Sequence, residues 1–217
     1  MPQGELPSWI HGGEMKIIRL ARIVALIIVM TSLVGLAAQP LGHPVFLHWS
    51  RRAIVKSPDG QFQIEVHPIL TDEEDHSPVV VRRLYDGKEW ELFTLTRAAH
   101  ALWSPDSHRI LVIDEPTADN YEVHLYSPEG KRMEADTDGM MRSAVLSGIA
   151  PGREIDFYLP TFVSWKDNEL LIAVGGTSYK GIPSPFESFC FAVSVDSDSG
   201  KVLSTNKRSE SHCRLNP

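Results

Sequence analysis

The residues that could do chemistry in this chain are numerous, but their spacing does not assemble the patterns that chemistry requires. The nine histidines, His11, His43, His48, His67, His76, His100, His108, His124 and His212, form no His-x-x-x-His, and the two cysteines form no Cys-x-x-Cys. A zinc ion needs three or four convergent ligands. Only His67 and His124, on strands of alternating pattern, offer a face that could gather them. Asp196-x-Asp198-x-Gly200 and Asp136-x-Asp138-Gly139 each echo part of a calcium loop. The twelfth position, which should carry a bidentate glutamate, is Lys207 in one and Ser147 in the other. Turn chemistry accounts for these aspartates and glycines equally well. Glu154 and Asp156 fall on one face of a strand, where a carboxylate pair can do acid–base work only if one is buried. Nothing around them reads as a buried pocket. The Gly-x-Ser-x-Gly elbow of serine hydrolases is absent, and Gly175-Gly176-Thr177-Ser178 lacks its spacing. No metal, cofactor or catalytic group is therefore expected.

The glycine-containing stretch from 175 to 181 reads as a flexible connection that continues through Ile182-Pro183-Ser184-Pro185-Phe186. It is not followed by a helix, so it is no phosphate cradle. Functional contacts concentrate on such loops. Tyr179, Lys180 and Phe186 are accordingly the candidate binding residues. Cys190 and Cys213 allow one intramolecular disulfide, which would tie the polar tail, 207–217, to the strand around Cys190. The alternative is a buried free Cys190 beside a loose tail.

The elements that must position these residues are strands. Gln61 to Val66 and Tyr121 to Tyr126 alternate polar and apolar with period two. Val79 to Val81 and Trp90 to Leu95 flank Asp86-Gly87, a hairpin signal. Ile110-Leu111-Val112-Ile113 is a continuous apolar run, expected of a central strand. Further strands are expected at Ile155 to Tyr158, Leu170 to Val174, Phe189 to Val195 and Lys201 to Ser204. Met140 to Ile149 reads as one short helix or a long loop excursion. The acidic run Asp72-Glu73-Glu74-Asp75 reads as a solvated loop.

Composition sets the class. The chain has 217 residues, 42% of them hydrophobic and 23% charged, with a formal net charge of −7. That is globular composition for one domain. A net acidic surface disfavours a nucleic-acid partner. At the N-terminus, Lys16, Arg19 and Arg22 follow Met15. Ile23 to Ala38 is then free of charge and ends in small residues at Gly35-Leu36-Ala37. This is the layout of a secretory signal peptide, with an uncleaved membrane anchor as the alternative. It predicts a leader over 1–38, with the start at Met15, and a β-rich domain over 39–206 placed outside the cytoplasm, periplasmic or secreted.

One element recurs. Ser57-Pro58-Asp59-Gly60 precedes the strand at Phe62 to Val66. Trp103-Ser104-Pro105-Asp106-Ser107 precedes Ile110 to Ile113. A third, degraded copy, Ser164-Trp165-Lys166-Asp167-Asn168, precedes Leu170 to Val174. These turns resemble the repeats of TolB-like and WD40-like β-propellers, in which Trp-Ser-Pro-Asp-Gly followed by an apolar strand marks each blade. The likeness runs over about 53–202. The first copy lacks the Trp and the third lacks the Pro. It implies an all-β fold of antiparallel meanders forming about three incomplete or irregular propeller-like blades, where closed propellers have four to eight. The other fold open to the sequence is a plain β-sandwich. Blades suit the docking of a protein or peptide, and oligomerisation could complete the ring. An exported, non-catalytic interaction module follows by analogy. An enzyme of unrecognised class and an anchored structural envelope protein are the competing readings. If the repeat is real, Trp103 and Trp165 are buried at equivalent places in adjacent sheets.

Overall fold

Period-two alternation becomes strand along most of the chain. A computed structural model describes residues 42–68, 76–181 and 185–213, so the leader and the acidic run at 72–75 lie outside the described residues. Within them are twelve strands and one α-helix: β1 (Val45–His48), β2 (Ile54–Lys56), β3 (Phe62–Val66), β4 (Ser77–Arg83), β5 (Glu89–Leu95), β6 (Ala98–Trp103), β7 (Ile110–Thr117), β8 (Asn120–Tyr126), α1 (Thr137–Gly148), β9 (Glu154–Lys166), β10 (Glu169–Tyr179), β11 (Glu187–Asp196) and β12 (Val202–Lys207). They form three antiparallel four-stranded sheets, ordered β2-β3-β4-β5, β1-β6-β7-β8 and β12-β11-β10-β9. These are the first, second and third sheets below. None of them closes on itself. The protein is all-β, with an architecture of incomplete blades or a stacked sandwich.

The second sheet lies in the middle, and β7 shows why its sequence is an uninterrupted apolar run. Ile110 and Val112 point into a core shared with the first sheet, which also holds Ile64, Val79, Val81 and Leu95. Leu111 and Ile113 point the other way, into a core shared with the third sheet and α1, with Ile172, Val193, Met141 and Val145. A strand buried on both faces has no polar face to alternate with.

The repeated turns share one construction. Ser57 Oγ donates to Asp59 Oδ1 at 2.6 Å and accepts the Phe62 N–H at 2.9 Å, while Asp59 Oδ1 accepts the Gln61 N–H at 2.9 Å. In the second copy Ser104 Oγ donates to Asp106 Oδ1 at 2.5 Å and accepts the Arg109 N–H at 2.9 Å, and Asp106 Oδ1 accepts the His108 N–H at 3.0 Å. The fourth turn residue is left-handed in both, Gly60 at φ +68° and Ser107 at φ +64°. The two turns also touch, because Ser107 Oγ accepts the Asp59 N–H at 3.1 Å. The third copy is a shorter connection through Asp167-Asn168, with Asp167 at φ +50°.

Trp103 and Trp165 are both buried, 4% and 1% exposed. Each packs toward the preceding sheet: Trp103, of the second sheet, lies in the core shared with the first, and Trp165, of the third, in the core shared with the second. Trp103 Nε1 donates to the Val55 carbonyl at 3.0 Å, whereas buried Trp165 Nε1 has no partner.

Several elements differ from the sequence expectation. β9 runs from Glu154 through Pro160 to Lys166 rather than ending at Tyr158; it is an edge strand, where a proline breaks no ladder on its free side. The tract from Gly175 to Tyr179 is not a loop. It is the end of β10, paired with both β9 and β11 (Gly175 opposite Leu159 and Cys190), so its backbone is held from two sides. α1 starts earlier than Met140, because Asp136 caps it, accepting the Gly139 N–H at 3.1 Å. β1 gave no sequence signal; it pairs with β6, about fifty residues away, and supplies the second sheet with its fourth strand.

Candidate functional site

Tyr179 is the last residue of β10 and Glu187 the first of β11, so the candidate binding residues sit where these strands turn back. The register places Tyr179 opposite Glu154 of β9. Its hydroxyl donates to Glu154 Oε2 at 2.7 Å, and that carboxylate acceptor holds the phenol above its ordinary pKa. The Phe186 ring stands edge-on to Tyr179 with centroids 6.2 Å apart, and it is 63% exposed. Lys180 is exposed beside them. The structure therefore brings Tyr179 and Phe186 into contact with Lys180 adjacent in the chain.

The support beneath this corner was not read from the sequence. Arg153, its side chain only 7% exposed, donates to the Ser178 carbonyl at 3.1 Å and pairs with Glu187. One guanidinium thus joins the start of β9, the end of β10 and the start of β11. Glu154 and Asp156 serve as exposed acceptors on the same edge, Asp156 Oδ2 taking the Thr177 hydroxyl at 3.1 Å. Neither is buried, and Tyr179 is committed to Glu154, so the corner offers contact surface and an amine rather than a nucleophile with its base.

The remaining chemical candidates resolve into structure. Asp196 Oδ1 accepts the Ser199 N–H at 2.6 Å and its hydroxyl at 2.7 Å, closing the β11–β12 turn. Asp198 pairs with Arg109 at 3.1 Å. Asp138 is buried: Oδ1 accepts the Val123 N–H at 3.1 Å and Oδ2 accepts from Arg142 Nε at 2.6 Å, while the Arg142 guanidinium lies 4.0 Å above the Tyr158 ring. His67 and His124 are not gathered. His67 bonds Glu65 at 3.2 Å on the first sheet, and His124 is buried in the second. Among the described residues no group of three or more His, Cys, Asp or Glu could hold a metal ion.

Cys190 and Cys213 are joined by a disulfide, with Cα atoms 5.7 Å apart. After β12 the chain makes one 3-10 turn, Glu210–His212, and returns across the outer face of the third sheet. The Arg208 N–H donates to the Cys190 carbonyl at 2.8 Å. Gly175 leaves room for this return: a Cβ there would lie 3.1 Å from Cys213 Cβ.

A carboxylate that the sequence reading passed over is Asp114 on β7, on the side facing the first sheet. Its Oδ1 is buried without a partner, and its cross-strand neighbour is Glu122. Burial, then the nearby Glu122 and Glu115 charges, push it up to about 6. Its signal was its place at the end of the apolar run. The unpartnered oxygen is sealed from solvent, so it does not line a substrate cleft.

No helix among the described residues is long and apolar enough to cross a membrane. Compared with models of protein families, with curated proteins and with solved structures, the chain matches none.

Proposed function

We propose that this chain is an exported, non-catalytic binding module built of TolB-like repeats, which docks a protein or peptide through the corner formed by Tyr179, Lys180 and Phe186. The observation that carries this reading is the pairing of an exposed aromatic with a rigid base. A phenylalanine left 63% exposed forgoes burial energy, and here the cost falls on a side chain propped against Tyr179, over strand ends pinned by Arg153. Aromatic residues on preorganised backbone are what protein interfaces use as anchors, because little entropy remains to be lost on docking. The basic and apolar leader supports export, and the matching Ser-Pro-Asp turns support the repeat kinship.

The test is site-specific photo-crosslinking in the native envelope. A photoreactive residue at Phe186 should give a discrete adduct that disappears when Tyr179→Ala and Lys180→Ala are added. The same probe at Glu129, a turn residue of the second sheet, should give none. Adducts at both positions, or at neither, overturn the assignment of this corner. Intact mass of the exported protein tests the leader: a product starting near Ala38 fits a free module, and a full-length membrane-bound product fits an anchor.

A further inference from the structure

Three carboxylates crowd the β7–β8 hairpin, and two of them have side-chain partners. Glu115 pairs with Arg97 at 3.3 Å. Glu122 Oε2 meets His124 Nε2 at 3.1 Å. Asp114 lies directly across from Glu122, has Ala99 as its neighbour on β6, and its buried Oδ1 meets no donor. Like charges opposite one another on paired strands repel, and the one hydrogen bond to this carboxyl, from the Glu115 backbone, does not offset the hydration lost at the buried Oδ1. Beyond Asp114 the ladder slips, with a register shift between Asp114 and Thr117. The hairpin tip is instead held from outside: Arg142 of α1 donates to Asn120 Oδ1 at 3.1 Å and to the Tyr121 carbonyl.

We propose that Asp114 carries a proton in the folded hairpin, and that this proton is a clasp: with it the β7–β8 hairpin is closed, and without it the tip over residues 115–121 loosens from β6 and from α1. The other groups around Asp114 do not supply the missing charge. His124 is held below its ordinary pKa by burial and then by the Arg132 charge, so it stays a neutral donor to Glu122 near neutral pH. Arg132 lies past the end of β8, bridged to Tyr126, whose ring stacks on Phe93 of the first sheet at 6.4 Å. Glu115 adds negative charge. Asp114 binds its proton more tightly folded than unfolded, its pKa moving from 3.8 to about 6. The carboxylate's cost is therefore absent below pH 4, grows as pH rises through that window, and is complete above it. The buried Asp138–Val123 bond and the Arg142 contacts make α1 the element that feels the hairpin move.

The experiment is amide hydrogen exchange of the mature chain at pH 5.0 and pH 7.5, corrected for intrinsic rates. The opening constant of amides in 115–123 should rise by up to about 10-fold at the higher pH, because a group moving between 3.8 and about 6 has already lost more than half of its effect by pH 5.0. Amides of β11 should not change. In Asp114→Asn the rise should vanish. Equal opening at both pH values, a rise spread evenly over all sheets, or a rise that survives in Asp114→Asn overturns the clasp. Should Asp114→Asn not fold, carboxyl NMR titration of the unaltered protein decides: a midpoint near 6 at Asp114 supports it, and one near 4 overturns it.

Discussion

The two outward faces of the sheet stack end it by different means. On the first sheet the face turned from the core is ionic. Glu65, 1% exposed, receives Gln63 Nε2 at 2.6 Å, His67 at 3.2 Å and Arg82 at 3.1 Å, with Arg52 at 3.7 Å, and Arg82 passes on to Glu89. The corresponding position before the Ser-Pro-Asp turn is Lys56 here, where the second sheet has Trp103. On the third sheet the outward face is made of small and apolar residues, Leu171, Ala173, Gly175 and Ala192, and the returning C-terminal segment lies against it through the disulfide. Among the described residues, one outward face is covered by charged side chains and the other by a returning length of chain.

The largest effect is expected from releasing the segment that lies on the third sheet. Cys213→Ser should cost about 3 kcal/mol by the loop-closure relation for a 23-residue separation, read as a lower midpoint in chemical denaturation. The Cys190→Ser, Cys213→Ser pair should cost no more than either change alone. A loss well under 1 kcal/mol would mean that the segment does not hold that face.

Next in size is the charge on the first sheet. Glu65→Gln should cost about 1.5–3 kcal/mol at pH 7, the worth of a hydrogen bond to a charged acceptor. Burial alone would raise the Glu65 pKa, but the Gln63 and His67 hydrogen bonds and the Arg82 charge outweigh it and leave it below 4.5. A depressed carboxyl stabilises above its unfolded pKa and loses that stability as pH falls through the folded one. The gap between Glu65→Gln and the unaltered protein should therefore close as pH drops below 4.5, whereas the Cys213→Ser gap should persist. A gap that is unchanged in acid would remove the ionic account.

Gly175→Ala sharpens the contrast on a smaller scale. The added methyl meets Cys213 Cβ, so about 1 kcal/mol should be lost while the disulfide is intact, and less once it is cut, as double-mutant denaturation would show. The smallest effect is salt. One molar sodium chloride should weaken the exposed Arg52 and half-buried Arg82 pairs by a few tenths of a kcal/mol and leave the disulfide's contribution unaltered.

What could be read from the sequence was what local rules encode. The alternation at 61–66 and 121–126 became β3 and β8, and the apolar run at 110–113 became the strand with a core on each side. The Ser-Pro-Asp turns were legible because the hydrogen bonds that close each of them span five residues or fewer, whereas the Asp59–Ser107 bond that joins the two turns spans 48. The rest was illegible because it is made at long range. Nothing near Glu65 announces Arg82, nothing near Arg153 announces Glu187, and Val45 to His48 look like linker until β6 is beside them. At the candidate site, Tyr179, Lys180 and Phe186 were named from the loop-like composition around them, while the Arg153 support beneath them needed the register of three strands. Asp114 was hidden for a different reason: an acid at the end of an apolar run looks like a strand terminus until its cross-strand neighbour is known to be another acid.

The pairing of β1 with β6 also sets an order of events. All four strands of the first sheet lie between these partners in the chain, so β1 has no partner until β6 has been made and the second sheet is complete only at residue 126. While the chain emerges from its N-terminus, Val45, Phe46 and Leu47 wait without a ladder as the first sheet forms behind them. Such non-local closure is slow and leaves an apolar strand open to wrong partners. The middle sheet, the most buried in the finished molecule, is thus the one whose assembly depends on a strand made early and used late.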